Sequence, residues 1–151
     1  KGVEMRILAG LIGVVLFASP AAAQEVSTAF FAKNAGSPGV VTIPGIQYKV
    51  LKSGPADGRH PARSSTIKVR YEGKFLDGCV FDSSKNDPEG AVSFPLDRLI
   101  PGWVTVLQLM RPGDEWIVYL PPEYAYGAKG KDMIPPDAPL EFRIELLDIV
   151  D

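Results

Sequence analysis

The chain has 151 residues, with 16 Lys and Arg against 18 Asp and Glu, one histidine and one cysteine. That length holds one domain and an appendage, and the slightly negative balance gives no electrostatic ground for a nucleic acid or an anionic membrane as partner. The lone Cys79 excludes an internal disulfide, and one His with one Cys falls short of the usual zinc ligand set.

Met5-Arg6 precedes an apolar run over residues 7–18, followed by Ser19-Pro20 and Ala21-Ala22-Ala23. A charged start, an apolar stretch and an A-x-A site are the layout of a secretory signal peptide. Residues 1–23 are therefore expected to be a leader, with residues 1–4 an upstream remnant. The run is too short to span a bilayer of ~30 Å as a helix, so no stable membrane span is expected after processing. Residues 24–45 read as an N-terminal helix and linker. Residues 24–34 have weak helical character around Val26, Phe30 and Phe31, and residues 35–39 (Ala-Gly-Ser-Pro-Gly) have linker composition.

From residue 46 to 151 the reading is of strands and turns. Residues 46–52 and 66–75 alternate apolar and polar, the mark of half-buried strands; in the second, Ile67, Val69, Tyr71, Gly73 and Phe75 share a face. Asp77-Gly78 is a turn signal, and Cys79-Val80-Phe81 restarts a strand. Residues 91–96 form a short strand whose Pro95 implies an edge or an end. Residues 114–120 are a strand halted by Pro121-Pro122, and 140–149 are a last alternating strand. Between them, residues 100–110 are predicted to be helical: Trp103, Val106, Leu107 and Met110 fall on one face, Pro101 suits a first turn and Gly113 a stop. The class is α+β, with one short helix buried against the concave side of an antiparallel sheet.

Several chemistries lack their residues. His60 stands alone in a Gly/Pro loop and reads as a solvated side chain. There is no Gly-x-Ser-x-Gly elbow and no glycine-rich phosphate loop. Any catalysis is expected to proceed without a nucleophile, a metal, a cofactor or a histidine base. What remains is a set of aromatics near turns: Tyr71, Phe81, Trp103, Tyr126 and Phe142. Each alone reads as core packing. Asp82, between a strand aromatic and Ser83-Ser84, has two readings: an Asx-turn residue bonding its own backbone, or a carboxylate among aromatics that takes a donor such as the Tyr71 hydroxyl.

The runs Ile67-Lys-Val-Arg-Tyr-Glu-Gly73, Phe81-Asp-Ser-Ser84, Phe94-x-Leu96 and Leu99-Ile-Pro-Gly-Trp103 resemble the FKBP-type peptidyl-prolyl cis/trans isomerases. So do Leu120-Pro-Pro-Glu-Tyr-Ala-Tyr-Gly127, Ile134-Pro-Pro136 and Leu140-x-Phe-x-Ile-Glu-Leu-Leu147. The segment around Phe31-Ala-Lys-Asn34 and Gly45-Ile-Gln-Tyr-Lys-Val-Leu-Lys is similar to the secreted bacterial Mip-like branch.

The resemblance implies a half-barrel antiparallel sheet wrapped around one helix, with an apolar aromatic pocket between them. It implies Tyr71, Asp82 and Tyr126 as catalytic residues. Phe81, Val92, Leu99, Ile100, Trp103, Ile134 and Phe142 would bind substrate, with Trp103 under the proline ring and the Ile100 N–H and Tyr126 hydroxyl holding substrate carbonyls. Val92 stands where some members place an aromatic, Val106 where the helix often has Gly, and Leu120 replaces a usual Ile. The implied activity is non-covalent acceleration of X–Pro rotation in exported polypeptides that are unfolded and contain proline. Macrolides of the tacrolimus type are the implied inhibitors. The alternative is a non-catalytic chaperone module that holds proline-bearing segments in the same pocket. The leader with no cysteine pair points to the periplasm, with an extracellular destination left open; the long helical dimerisation region of some Mip-type members has no room here, and a monomer is expected.

Overall fold

The computed structural model describes residues 19–151. Its elements are α1 (Pro20–Asn34), β1 (Val40–Ile43), β2 (Ile46–Lys52), β3 (Thr66–Phe75), β4 (Val80–Ser83), β5 (Val92–Pro95), α2 (Pro101–Leu107), β6 (Glu115–Leu120) and β7 (Leu140–Ile149). The strands make one antiparallel sheet in the order β1-β2-β6-β7-β3-β4, with β5 also on β3. Alternation along each strand sends one row inward: Ile67 and Val69 from β3, Val118 and Leu120 from β6, Ile144 and Leu146 from β7 are all fully buried. Against this concave face lies α2, presenting Trp103, Val106 and Leu107. The expected half-barrel on one short helix is the fold observed. Among the described residues no helix is long and apolar enough to cross a membrane.

The helix is shorter than residues 100–110. It stops at Leu107 because Arg111 precedes Pro112, which disfavours a helical Arg111. Met110 nevertheless stays buried on the same face, since its N–H still bonds the Val106 carbonyl at 3.1 Å. Gly113 serves as a turn (φ 95°) whose N–H donates to Leu146 at 2.8 Å. Gly102 is where the helix meets the sheet: a Cβ there would run into Leu120 and lie 2.9 Å from the Tyr124 carbonyl oxygen.

Two features at the N-terminal end differ from the sequence reading. Strand β1 was not anticipated. Its residues pair with β2 from Val40↔Lys49 to Ile43↔Ile46, so the sheet begins ahead of the domain start expected at residue 46. Helix α1 starts at Pro20, capped by Ser19, and takes in Ala21-Ala22-Ala23. Those alanines end the expected leader; residues 1–18 of that leader lie outside the described residues. The helix is fastened to β2 by one buried amide. Gln47 Nε2 donates to the Phe31 carbonyl at 2.8 Å, and its Oε1 accepts from Asn34 Nδ2 at 2.9 Å. The Phe31 carbonyl also accepts from the Ala35 N–H at 3.0 Å, so Gln47 adds a second donor from the sheet to the last turn of the helix.

His60 is exposed, as expected, but it is not idle. Its Nδ1 lies 3.0 Å from the Met110 carbonyl oxygen, and Arg111 Nε donates to Nε2 at 3.2 Å. Asp114 completes the tie, accepting from Gly54 N at 2.6 Å and from Arg111 N at 3.0 Å.

Replacing Gln47 by Ala should lower unfolding stability by about 1–2 kcal/mol, since two hydrogen bonds between helix and sheet are lost, while the Phe31 carbonyl keeps the Ala35 N–H. Denaturant titration reads the loss, and amide exchange should quicken in α1 first. Unchanged exchange there would show that the helix is held by packing alone.

Candidate functional site

The site begins at a gap in the sheet edge. Strand β5 pairs with Thr66–Val69 of β3, and β4 pairs with Glu72–Lys74. Between them the Tyr71 N–H has no strand partner; the buried Ser84 hydroxyl accepts it at 3.0 Å. Next along β3 comes Gly73, where a Cβ would lie 2.6 Å from the Phe81 ring and 2.8 Å from the Phe142 ring. Glycine is what lets both rings lie over the strand. The register of β4 also slips by one residue, from Gly73↔Asp82 to Lys74↔Val80, so Phe81 is the unpaired residue of a bulge. The bulge turns Phe81 toward Phe142, with ring centroids 5.7 Å apart and planes at 87°.

These rings converge on Trp103. Its indole has Tyr71 at 5.2 Å, Phe142 at 5.4 Å and Phe94 at 6.2 Å, all edge-on. Edge-to-face contact is the arrangement favoured by aromatic quadrupoles. Trp103 is only 4% exposed, and it lines a cavity of about 280 Å³. Around that floor stand Tyr71, Phe81, Asp82, Leu99, Ile100, Tyr126 and Phe142, together with Phe94, Arg98 and Lys131.

Asp82 answers to both of its readings. One carboxylate oxygen accepts from the Tyr71 hydroxyl at 2.8 Å, and the other accepts from the Ser83 N–H at 2.8 Å. Burial, then the Asp82 hydrogen bond and charge, push the Tyr71 phenol well above its ordinary pKa. Burial, with the charges of Asp82 and Asp132, raises that of Tyr126 too. Both phenols therefore keep their protons and remain donors. Ile100 caps α2 in an extended conformation (φ −60°, ψ 150°). Its carbonyl accepts from Trp103 and Val104 at 3.0 and 3.2 Å, while its N–H stands outside the helical ladder. Tyr126 is set by the loop over residues 121–137, braced by Gly127 N to Pro122 O at 2.8 Å and Asp137 N to Gly127 O at 2.9 Å.

Two expected residues do not line the cavity. Val92 is paired opposite Val69 at the start of β5, and the ring on the same face of that strand belongs to Phe94, two residues on. Ile134 is buried in the core, bridged through its backbone to Lys131, whose side chain takes the rim instead. Phe94 could have been found from the alternation of β5. Ser84, Arg98 and Lys131 had no signal, because exposed charges and a serine after a strand are ordinary in turns.

A larger groove of about 700 Å³ runs between α1 and the 121–137 loop, lined by Ser27, Phe31, Ile43, Pro122 and Ala128 among others. It lacks a converging aromatic cluster and a phenol–carboxylate pair, so chemistry favours the smaller cavity.

Fold and cavity define an α+β domain with a small aromatic cavity that has an indole floor and phenol donors in its wall. Residues 57–147 match the family model of the FKBP-type peptidyl-prolyl cis-trans isomerase. A probable FKBP-type isomerase FkpA of Neisseria meningitidis is 42% identical over 128 residues, covering 83% of this chain and 46% of that protein. The isomerase Mip of Coxiella burnetii is 41% identical, over 83% of this chain and 54% of its own. A crystal structure of a peptidyl-prolyl cis-trans isomerase from Pseudomonas syringae superposes with a TM-score of 0.81 at 36% identity, covering 89% of this chain and 98% of that one. The chain belongs to the FKBP-type peptidyl-prolyl cis-trans isomerase family, and it spans about half the length of the curated relatives it matches.

Gly73→Ala should push Phe81 and Phe142 apart, lowering stability by about 1–3 kcal/mol and altering tryptophan fluorescence. A variant with native emission and stability would show that the rings accommodate the methyl.

Because Tyr71 holds its proton more tightly when folded, its contribution to stability is full below the ordinary phenol value of about 10. It is lost as pH rises through the raised folded value. Denaturant titrations across that range should show wild-type stability falling with pH and Tyr71→Phe falling less steeply. Equal slopes would mean that Tyr71 is not the group responsible.

Proposed function

We propose that the chain accelerates cis/trans rotation about X–Pro bonds in exported polypeptides, with the proline ring seated on Trp103. The observation that carries this is the edge-on ring of Tyr71, Phe94 and Phe142 around the indole, beside a carboxylate already engaged by a phenol.

An X–Pro bond resists rotation by roughly 18–20 kcal/mol because resonance holds the amide planar. Without a catalyst the exchange takes tens to hundreds of seconds. The planar form is charge-separated and draws stabilisation from water. The twisted form is less dipolar at its carbonyl and tolerates an apolar wall. Moving the imide from water into an aromatic cavity therefore raises the planar state relative to the twisted one. The Ile100 N–H and the Tyr126 hydroxyl hold the flanking carbonyls. Asp82 keeps Tyr71 oriented and stands at the cavity wall. No bond is made or broken, so neither nucleophile nor metal enters. The residue before proline sits against aromatic rings and is preferentially apolar. A macrolide of the tacrolimus type would compete for the same cavity.

On this reading residues 1–23 are a secretory leader, the mature protein acts as a monomer in the periplasm, and its partners are unfolded chains containing proline. Envelope relatives support that setting: one match, from Legionella longbeachae, carries the name outer membrane protein MIP.

A protease-uncoupled assay on residues 24–151 tests the proposal. Tyr126→Phe and Asp82→Ala should each lower kcat/KM roughly tenfold, equivalent to about 1.4 kcal/mol of barrier, and Leu-Pro peptides should outpace Glu-Pro peptides. If the wild-type chain failed to accelerate rotation while still suppressing aggregation, the cavity would be a clamp for proline segments and not a catalyst; if both variants matched an active wild type, the roles given to Tyr126 and Asp82 would fall.

A further inference from the structure

Two cations, Arg98 and Lys131, stand among the residues that line the aromatic cavity, although the chain as a whole has a formal charge of −2. Arg98 closes the 3₁₀ turn Leu96–Arg98, immediately before Leu99 and Ile100. Lys131 comes from the opposite part of the sequence, in the loop that carries Tyr126. Its backbone is fixed by reciprocal bonds to Ile134 at 2.9 and 2.8 Å, and its ammonium stands 5.9 Å from the Tyr126 ring centroid. Among the described residues neither cation belongs to an ion pair, whereas Arg70, Lys74, Lys85 and Arg143 elsewhere on the sheet all do. The adjacent carboxylates, Asp97 and Asp132, lie outside the cavity lining, although the Asp132 charge is felt at Tyr126. The single lining carboxylate, Asp82, has both oxygens engaged by Tyr71 and Ser83.

Resting on the isomerase reading, we propose that Arg98 and Lys131 select prolyl segments bearing an Asp or Glu side chain one or two residues outside the X–Pro pair. The geometry separates two zones. A carboxylate cannot enter the aromatic interior without a large desolvation penalty, so the X–Pro pair itself stays apolar. At the rim a carboxylate remains hydrated and meets two cations from separate walls. Exposed pairs are individually weak, but Lys131 is held along the Tyr126 ring, which reduces the ordering needed to bind. Long-range attraction also favours encounter with acidic segments over basic ones.

The experiment uses peptides with a central Leu-Pro pair and Glu, Gln or Lys at each of two positions on either side, with exchange followed by NMR. Glu should exceed Gln in kcat/KM by roughly three- to fivefold at one position or more, with Lys below Gln. The gap should close near 0.5 M salt. In R98Q/K131Q the Glu/Gln ratio should fall to about one whatever the absolute rate, and in R98E/K131E the order should invert. Equal rates for Glu, Gln and Lys at all positions, or a Glu preference that survives in R98Q/K131Q, overturns the proposal. Turnover of the Gln peptide by the wild-type chain reports separately on the isomerase reading: its absence would defeat that reading, whereas its presence with no charge order defeats only this one.

Discussion

Because β4 and β5 divide one edge of β3 between them, Tyr71 has no strand neighbour on that edge, and the aromatic cavity is lined from both strands, by Phe81 and Asp82 of β4 and Phe94 of β5. A gap in a sheet edge leaves a backbone donor exposed to burial without a partner, which is costly. Here the Ser84 hydroxyl takes the Tyr71 N–H, so the gap is stable without being closed by another strand. The opposite edge of β3 is unbroken, paired with β7 from Ile67 to Phe75 apart from one shift near Val69. Rigidity on one side and an opening on the other let the sheet serve as both wall and doorway.

The polar groups at that doorway are few and already committed in a definite direction. Asp82 accepts from Tyr71 and from its neighbour's N–H, which leaves it oriented before any substrate arrives. Burial and the nearby carboxylate raise the pKa values of Tyr71 and Tyr126, so both phenols are donors throughout the range in which proteins ordinarily work. This suits a reaction whose barrier lies in amide resonance, where no proton need leave the peptide. In the proposed reaction, fixed donors and a dry floor would act on the difference between planar and twisted imide, and a few kcal/mol of difference is a large factor in rate.

How much of this was legible in the sequence depends on whether the determinant was local. Strands β3 and β7 could be read because one face is buried and the other solvated, which imposes a period of two on Ile67, Val69 and Tyr71 and on Leu140, Phe142 and Ile144. The helix could be read because Trp103, Val106 and Leu107 share a stripe. Strand β1 could not: Val41 and Thr42 are both exposed, so no alternation marks it, and only its pairing with β2 makes it a strand. Ser84 was invisible for the same reason, since its role exists only once β4 and β5 are known to share an edge. Val92 and Phe94 show the limit of a family pattern carried over one position at a time. The strand supplies its ring two residues further on, and the face, not the position, is what the cavity requires.

The interior and the rim act on different quantities. On the proposed reading, aromatic contacts around Trp103 bear on the imide whichever way the peptide's neighbours are charged, so they govern how far the barrier falls. Arg98 and Lys131 are exposed at the cavity, and on the proposed reading they would meet groups that do not change as the bond rotates. Interactions equal in ground and transition states leave kcat alone and appear in KM. A rim of this kind can therefore be altered without loss of catalytic power, whereas Gly73 cannot, since the rings over it allow no Cβ. The fold thus keeps a sterically constrained glycine under the cavity and unpaired surface cations at its entrance, so on the proposed reading the choice of segment could change while the aromatic interior stays fixed.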